Sequence, residues 1–363
     1  MCRPACPRAL ISDDFFDQDK LFVDVAKQLE QYPNDIWDFV NGTVEKLDHV
    51  SRVVTVKVRD GIEKLIPFHA LVIATGASTP SPLLGLNVNA TVLREVWISF
   101  RKALASAKSI VIAGGGPAGV EVAGELGEHL NGRSGWFASS PSNQTVKITL
   151  ITAGERILPA LRPAIASTAE AHLARLGVTV VTNTKVVAVT PIDAGSSTFA
   201  FTTPATLTLS NNETLTTDLY IPATGTKPNT AFLPPTLLAP DGRVITNPQT
   251  LRVDTASPLI YSIGDCSNAF RPAIHNIIAA VPILCNNIHH DLLERSNRSA
   301  NIPIPSVKLF EEDVRETQLV PIGTKKGVGA AMGWRLPGWL VWVIKGRDYW
   351  IWTTGRLWSG RQW

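Results

Sequence analysis

Hydrophobic and polar positions change period several times along this chain, and each change predicts an element. Residues 53–58, VVTVKV, alternate as a half-buried strand does. Residues 66–76, IPFHALVIATG, form a longer apolar run that predicts a buried strand ending at a glycine turn. Residues 109–113, SIVIA, predict a short apolar strand. Glycines at 114, 115, 116 and 119 follow at once and open a helix expected over 120–130, with Val120, Ala123, Leu126 and Leu130 on its apolar face. A polar loop at 131–144 leads to a strand at 146–151, a helix over 162–176 that stops at Gly177, and a strand at 178–182. Strands alternating with helices in this way predict a parallel sheet with right-handed crossovers. Three strand-like runs follow at 186–189, 206–209 and 219–222, then a buried strand at 259–266, LIYSIGDC, and a helix over 276–293. Residues 11–40 are mixed and acidic and predict a helix with a connection.

The richest chemistry lies in the turn Gly114-Gly115-Gly116-Pro117-Ala118-Gly119. A lone GxGxxG is a weak signal, but here it follows an apolar strand and opens a helix. Gly114 permits the tight turn, Gly116 lets backbone amides approach a pyrophosphate, and Gly119 lets helix and strand pack closely. The helix N-terminus adds free N–H groups and the positive end of its dipole. An acid at the end of the second strand would bind the ribose of NAD. Thr152 stands there instead, followed by Glu155, which could reach the ribose, and Arg156, which could meet the 2′-phosphate of NADP. NAD and NADP both stay open. Two further ATG turns, at Thr75-Gly76 and Thr224-Gly225, and one Gly264-Asp265 turn also end apolar runs. Asp265 is placed to accept hydrogen bonds from a ribityl chain.

Composition narrows the class. The 363 residues suffice for two or three domains with full cores. A net charge of +3, with no cluster of Lys and Arg, argues against nucleic acid as a partner. The four cysteines, Cys2, Cys6, Cys266 and Cys285, form neither a Cys-x-x-Cys nor a Cys-x4-Cys pair, which disfavours thiol–disulfide chemistry. They also complete no zinc set, so no metal site is expected, and a reduced cytoplasmic setting is the default. No stretch of about 18 apolar residues occurs, so no spanning helix is expected.

ATGAS at 74–78, GGGPAGVEVAGEL at 114–126, ATGTKPN at 223–229 and YSIGDC at 261–266 together resemble the pyridine nucleotide oxidoreductases built from two dinucleotide-binding domains. Within them the chain is similar to the apoptosis-inducing-factor-like branch, which includes the ferroptosis-suppressor quinone reductases and type II NADH dehydrogenases. The tail motif KGRDYW at 345–350 is similar to that branch as well. The resemblance implies an α/β fold like glutathione reductase: FAD-binding parts at 1–105 and 226–295, an inserted NAD(P)H-binding domain at 106–225 and a Trp-rich C-terminal segment at 296–363. It implies FAD and NAD(P)H as cofactors, hydride transfer to flavin where the two domains meet, and a quinone or another small electron acceptor. Glu121 matches a glutamate near the nicotinamide–flavin contact, and Lys345 a lysine tied to flavin and acceptor chemistry. Each also has a plain reading, Glu121 as a first-turn helix acid and Lys345 as a solvated lysine. The family's first GxGxxG, which holds the FAD pyrophosphate, is not in this sequence, so the first FAD part is incomplete. Two explanations stand: the sequence is a piece of a longer protein, or it is a variant that has lost FAD and its catalysis.

From Trp334 to Trp363 the chain carries seven of its ten Trp residues, with five Lys or Arg and one acid, Asp348. Aromatic residues mixed with basic ones suit a membrane surface, whether mitochondrial or on a lipid droplet. The competing expectation is a strand group packed over the flavin domain. The two are compatible.

Overall fold

The computed structural model describes residues 5–85, 89–135, 138–296 and 303–362. Cys2, Trp136 and Phe137 of the polar loop, and Trp363 of the tail lie outside the described residues. The chain divides into two compact units.

The first unit comprises Met1–Leu29, Thr79–Thr226 and Arg315–Gln362. At its centre is the expected parallel sheet, built from β1 (Ser109–Ala113), β2 (Lys147–Ile151), β3 (Val178–Val181) and β4 (Leu219–Pro222) in the order β4-β1-β2-β3. Alternate side chains point to opposite faces of a strand. Ile110 and Ile112 of β1 therefore enter one core, with Val120 and Ala123 of helix α1 (Pro117–Asn131), while Val111 and Ala113 enter another. That second core holds Leu207, from an antiparallel sheet formed by Val186–Thr190, Ala205–Leu209 and Thr214–Thr217. Burial on both faces explains why β1 and β4 read as apolar runs, whereas β2 and β3 carry the exposed polar residues Lys147 and Thr179. Helix α2 (Pro163–Ala174) joins β2 to β3, and Gly177 follows it with φ +73°.

Three features of this unit were not anticipated. Ala90–Leu104 is a helix whose Leu93, Val96, Trp97, Phe100 and Leu104 are buried, and the Asn89 side chain accepts from Val92 N at 2.9 Å as its N-cap. The acidic stretch expected as one helix is broken into short pieces, Gln18–Leu21 and Val25–Leu29, after a first turn at Cys6–Ala9. The tail departs from the expected strand group over the flavin domain. Its strands, β5 (Gln318–Ile322), β6 (Lys326–Ala331) and the short Trp334–Arg335, end before most of the tryptophans. Pro337 lacks an N–H for a further ladder rung, and helical turns follow at Gly338–Val341, Trp342–Gly346, Ile351–Thr353 and Thr354–Trp358. Tyr349 and Ile351 join the same core as α1, so the tail belongs to the first unit.

The second unit comprises Glu30–Ser78 and Lys227–Val314. An antiparallel sheet of Gly42–Asp48, Val53–Val58 and Glu63–Pro67 packs through Leu47, Val54 and Val56 on Leu237, Val244 and Ile260. Gly42–Asp48 was not anticipated, because its charged residues mask the alternation. The single buried strand expected at 66–76 is in fact two pieces. Pro67 ends the antiparallel sheet, and only Leu71–Ile73 continues, parallel to Ile260–Ser262, with Val72 exposed at 41%. The strand expected at 259–266 is likewise three residues long, bounded by Leu259 at φ +65° and Gly264 at φ +83°. The long helix Ile274–Ser296 packs Ala280 and Leu284 against Tyr261 and Phe270.

Candidate functional site

The glycine turn sits at the C-terminal end of β1, where Gly114 N donates to Ile151 O at 2.7 Å and Ala223 N donates to Ala113 O at 2.6 Å. Gly114 has φ +126°, and a Cβ there would lie 2.1 Å from the Ala223 carbonyl oxygen. A Cβ on Gly119 would lie 1.9 Å from the Gly114 carbonyl oxygen. Only glycine fits at either place. The second ATG turn, with Thr224 and Gly225 exposed, therefore stands beside the fingerprint turn at the ends of neighbouring strands. Helix α1 has Gly116 as N-cap and Pro117 at its start, with no side chain capping it, and the space around Gly116 is open. Uncapped first-turn amides facing open space fit a dinucleotide pyrophosphate. Ala118 is exposed on that first turn.

The segment after β2 wraps the same turn. Thr152 is buried, and its Oγ1 lies 2.6 Å from where a Gly115 Cβ would be. Thr184 N donates to the Thr152 carbonyl at 3.0 Å, and Leu158 N donates to the Gly115 carbonyl at 2.7 Å. Arg156 is half-buried and donates from Nη1 to the exposed Glu155 at 2.6 Å.

Glu121 and Lys345, 224 residues apart, meet in the interior of the first unit. Lys345 Nζ donates to Glu121 Oε1 at 2.5 Å and to the Leu319 carbonyl at 3.1 Å. Glu121 is not the first-turn acid of its plain reading, since the first turn of α1 holds no acid, and Lys345 is not a solvated lysine, since it is buried. One turn along α1, Glu125 forms a second buried pair that the sequence reading missed. Its Oε1 accepts from Arg8 Nη2 at 2.7 Å and from the Tyr349 hydroxyl at 3.0 Å. Arg8 Nη1 also donates to the Gly346 carbonyl at 2.8 Å, next to Lys345, and its guanidinium lies 4.8 Å from the centre of the Tyr349 ring. The one available signal was two acids four apart in the apolar first half of the helix, which share a face. Burial raises the Glu121 carboxyl above its ordinary value, opposed by the Lys345 charge. Burial and the neighbouring Glu125 push the Tyr349 hydroxyl well up. Burial works against the charge of Arg8, but its bonds to Glu125 outweigh that and strengthen it. A buried carboxyl with a raised pKa, hydrogen-bonded to an ammonium, can hold and pass a proton.

In the second unit, Thr75 and Gly76 end the strand Leu71–Ile73 while Gly264 and the half-buried Asp265 follow its parallel partner. Both glycines face open space. Asn229, also missed from sequence, pins the first turn: Thr75 Oγ1 donates to its carbonyl at 2.7 Å, and its Nδ2 donates to the Thr75 carbonyl at 3.0 Å. Adjacent open turns at the C-terminal ends of parallel strands fit a nucleotide ligand, with Asp265 as an acceptor for its hydroxyls. No metal was expected; His290, Asp291 and Glu294 do bring ligand atoms within 4.8 Å of one another. Asp291, however, already accepts from Arg252 at 2.6 and 2.8 Å and from the Tyr261 hydroxyl at 2.6 Å.

Comparison with known proteins agrees with this geometry. The family model described as pyridine nucleotide-disulphide oxidoreductase matches residues 5–282. Oxidoreductase phnG of Penicillium herquei is 57% identical over 363 residues, covering 100% of this chain and 86% of that protein. Ferroptosis suppressor protein 1 of Xenopus tropicalis is 26% identical over 325 residues, covering 86% of this chain and 77% of that protein. Among solved structures, NDH2 of Plasmodium falciparum in complex with NADH aligns with a TM-score of 0.63 at 14% identity, over 98% of this chain and 89% of the other.

Proposed function

The chain belongs to the pyridine nucleotide-disulphide oxidoreductase family, NAD(P)H-dependent flavoproteins with FAD, and on that premise we propose that its electrons pass to a quinone-type acceptor. The observation that carries this reading is the buried Glu121–Lys345 pair, 2.5 Å apart on the helix opened by the glycine turn. Bound flavin supplies hydride acceptance and onward electron transfer. The first-turn amides of α1 hold the NAD(P)H pyrophosphate, while Thr75, Gly76, Gly264 and Asp265 contact the flavin nucleotide. Glu121 Oε1 and Lys345 Nζ hold a proton between them and hand it on, since a quinone takes up protons with its electrons. Among the described residues, Cys6 and Cys266 are buried, Cys285 is exposed, and none of the three forms a disulfide.

The exposed Trp334, Trp339, Trp352 and Trp358 lie among the exposed Arg335, Arg347 and Arg356, and this set suits contact with an anionic membrane surface, where quinones reside. No helix among the described residues is long and apolar enough to cross a membrane. Replacing those four tryptophans by serine is expected to abolish co-flotation with anionic vesicles; unchanged flotation would contradict the tail's role.

The acceptor roles are tested with Glu121→Gln and Lys345→Ala in flavin-loaded protein. Quinone reduction is expected to slow by about a hundredfold or more, the usual scale of general acid–base catalysis, while NAD(P)H still bleaches the flavin. Full quinone reductase rates in both variants would remove these residues from the reaction.

A further inference from the structure

The glycine turn accepts either nicotinamide dinucleotide through its pyrophosphate, so selection between them must come from whatever meets the adenosine ribose. A carboxylate at the end of β2 would bind the ribose 2′-hydroxyl and repel a 2′-phosphate. Thr152 occupies that place, uncharged and buried against Gly115. Four residues on, the Nε of Arg156 is buried with no hydrogen-bond partner among the described residues. A buried donor of this kind is costly to leave unmade. Arg156 spends Nη1 on Glu155, whose side chain is 76% exposed, and so exposed a pair is weak and readily exchanged. The backbone around Arg156 is fixed: Ile157 and Leu158 are fully buried, and Leu158 N is bonded to the Gly115 carbonyl. The backbone that carries Arg156 is thus tied to the fingerprint turn, its Nε donor is unused, and the planar fork of a guanidinium matches phosphate oxygens.

We propose that this site prefers NADPH to NADH, with Arg156 as the ligand of the 2′-phosphate and Thr152 as the substitution that admits it. The proposal rests on the nicotinamide reading of the glycine turn. Glu155 stays turned to Arg156 and solvent and does not read the ribose.

The test is calorimetric titration of the full chain with NADPH and with NADH, which requires no turnover. NADPH is expected to bind at least about tenfold more tightly, as one or two charge-assisted hydrogen bonds would give. Arg156→Ala is expected to erase that gap by weakening NADPH alone, and Arg156→Gln, which keeps a polar, uncharged side chain, to do the same if the alanine variant folds poorly. Thr152→Glu is expected to reverse the preference. Tighter binding of NADH to the unaltered chain would overturn the proposal. So would an equal loss of both dinucleotides in Arg156→Ala, or a loss of NADH alone in Glu155→Ala. Binding of neither dinucleotide would instead sink the reading of the glycine turn itself.

Discussion

Arg8, Glu125 and Tyr349 surround Glu121 and Lys345 with a second set of buried polar atoms, and the two sets balance two carboxylates against two cations. Taking Arg8 away leaves the Glu125 carboxylate buried without its cation, held only by the Tyr349 hydroxyl. Arg8→Leu is therefore expected to cost about 3–5 kcal/mol, read as a fall in the thermal or urea midpoint. Arg8→Leu combined with Glu125→Leu is expected to recover much of that loss. If Arg8→Leu melts like the unaltered chain, the cluster is not a balanced unit. Sequence pattern exposed only part of this chemistry. Glu121 and Lys345 could be singled out only because their surroundings, GVE and KGRDYW, resemble a known branch. Arg8 lies 117 positions from Glu125 and Tyr349 lies 224 from it, separations that no local period carries. Lys345 and Tyr349 are also buried only because the tail folds back onto α1.

At the scale of elements, legibility follows burial. Strands covered on both faces, such as Ser109–Ala113 and Leu219–Pro222, read correctly because every position after the opening Ser109 is apolar. The runs at 66–76 and 259–266 looked equally continuous, but positive-φ residues and Pro67 cut them to three-residue strands. Apolarity alone does not report such breaks. The helix Ala90–Leu104 carries its signal only in the spacing of Leu93, Val96, Trp97, Phe100 and Leu104, with no glycine turn to mark its ends. The glycine turn joins β1 to α1 so closely that a single methyl group is decisive. In Gly119→Ala the new Cβ must push the Gly114 carbonyl away, which moves the amides of the turn. That variant is expected to stay folded and lose dinucleotide binding in a calorimetric titration. Unchanged affinity would mean that the turn is only a structural corner.

At the scale of the whole chain, the family was legible because four motifs stand in one order between residues 74 and 266. Each alone is an ordinary strand-end turn. The structure gathers Gly114–Gly119 with Thr224–Gly225 in one unit and Thr75–Gly76 with Gly264–Asp265 in the other. The tail was harder, because the run GWLVWVI at 338–344 is apolar throughout and carries no period to separate strand from helix. Its placement on α1 comes from tertiary packing. The central claim is that dinucleotide held by the first unit reduces flavin held by the second. It is tested most directly by adding NADPH, without oxygen, to the full chain loaded with FAD and freed of excess flavin, while recording the visible spectrum. The account predicts that the flavin absorption bleaches and returns when a quinone is added. A chain that binds the dinucleotide but retains no flavin, or whose flavin stays oxidised, would contradict it.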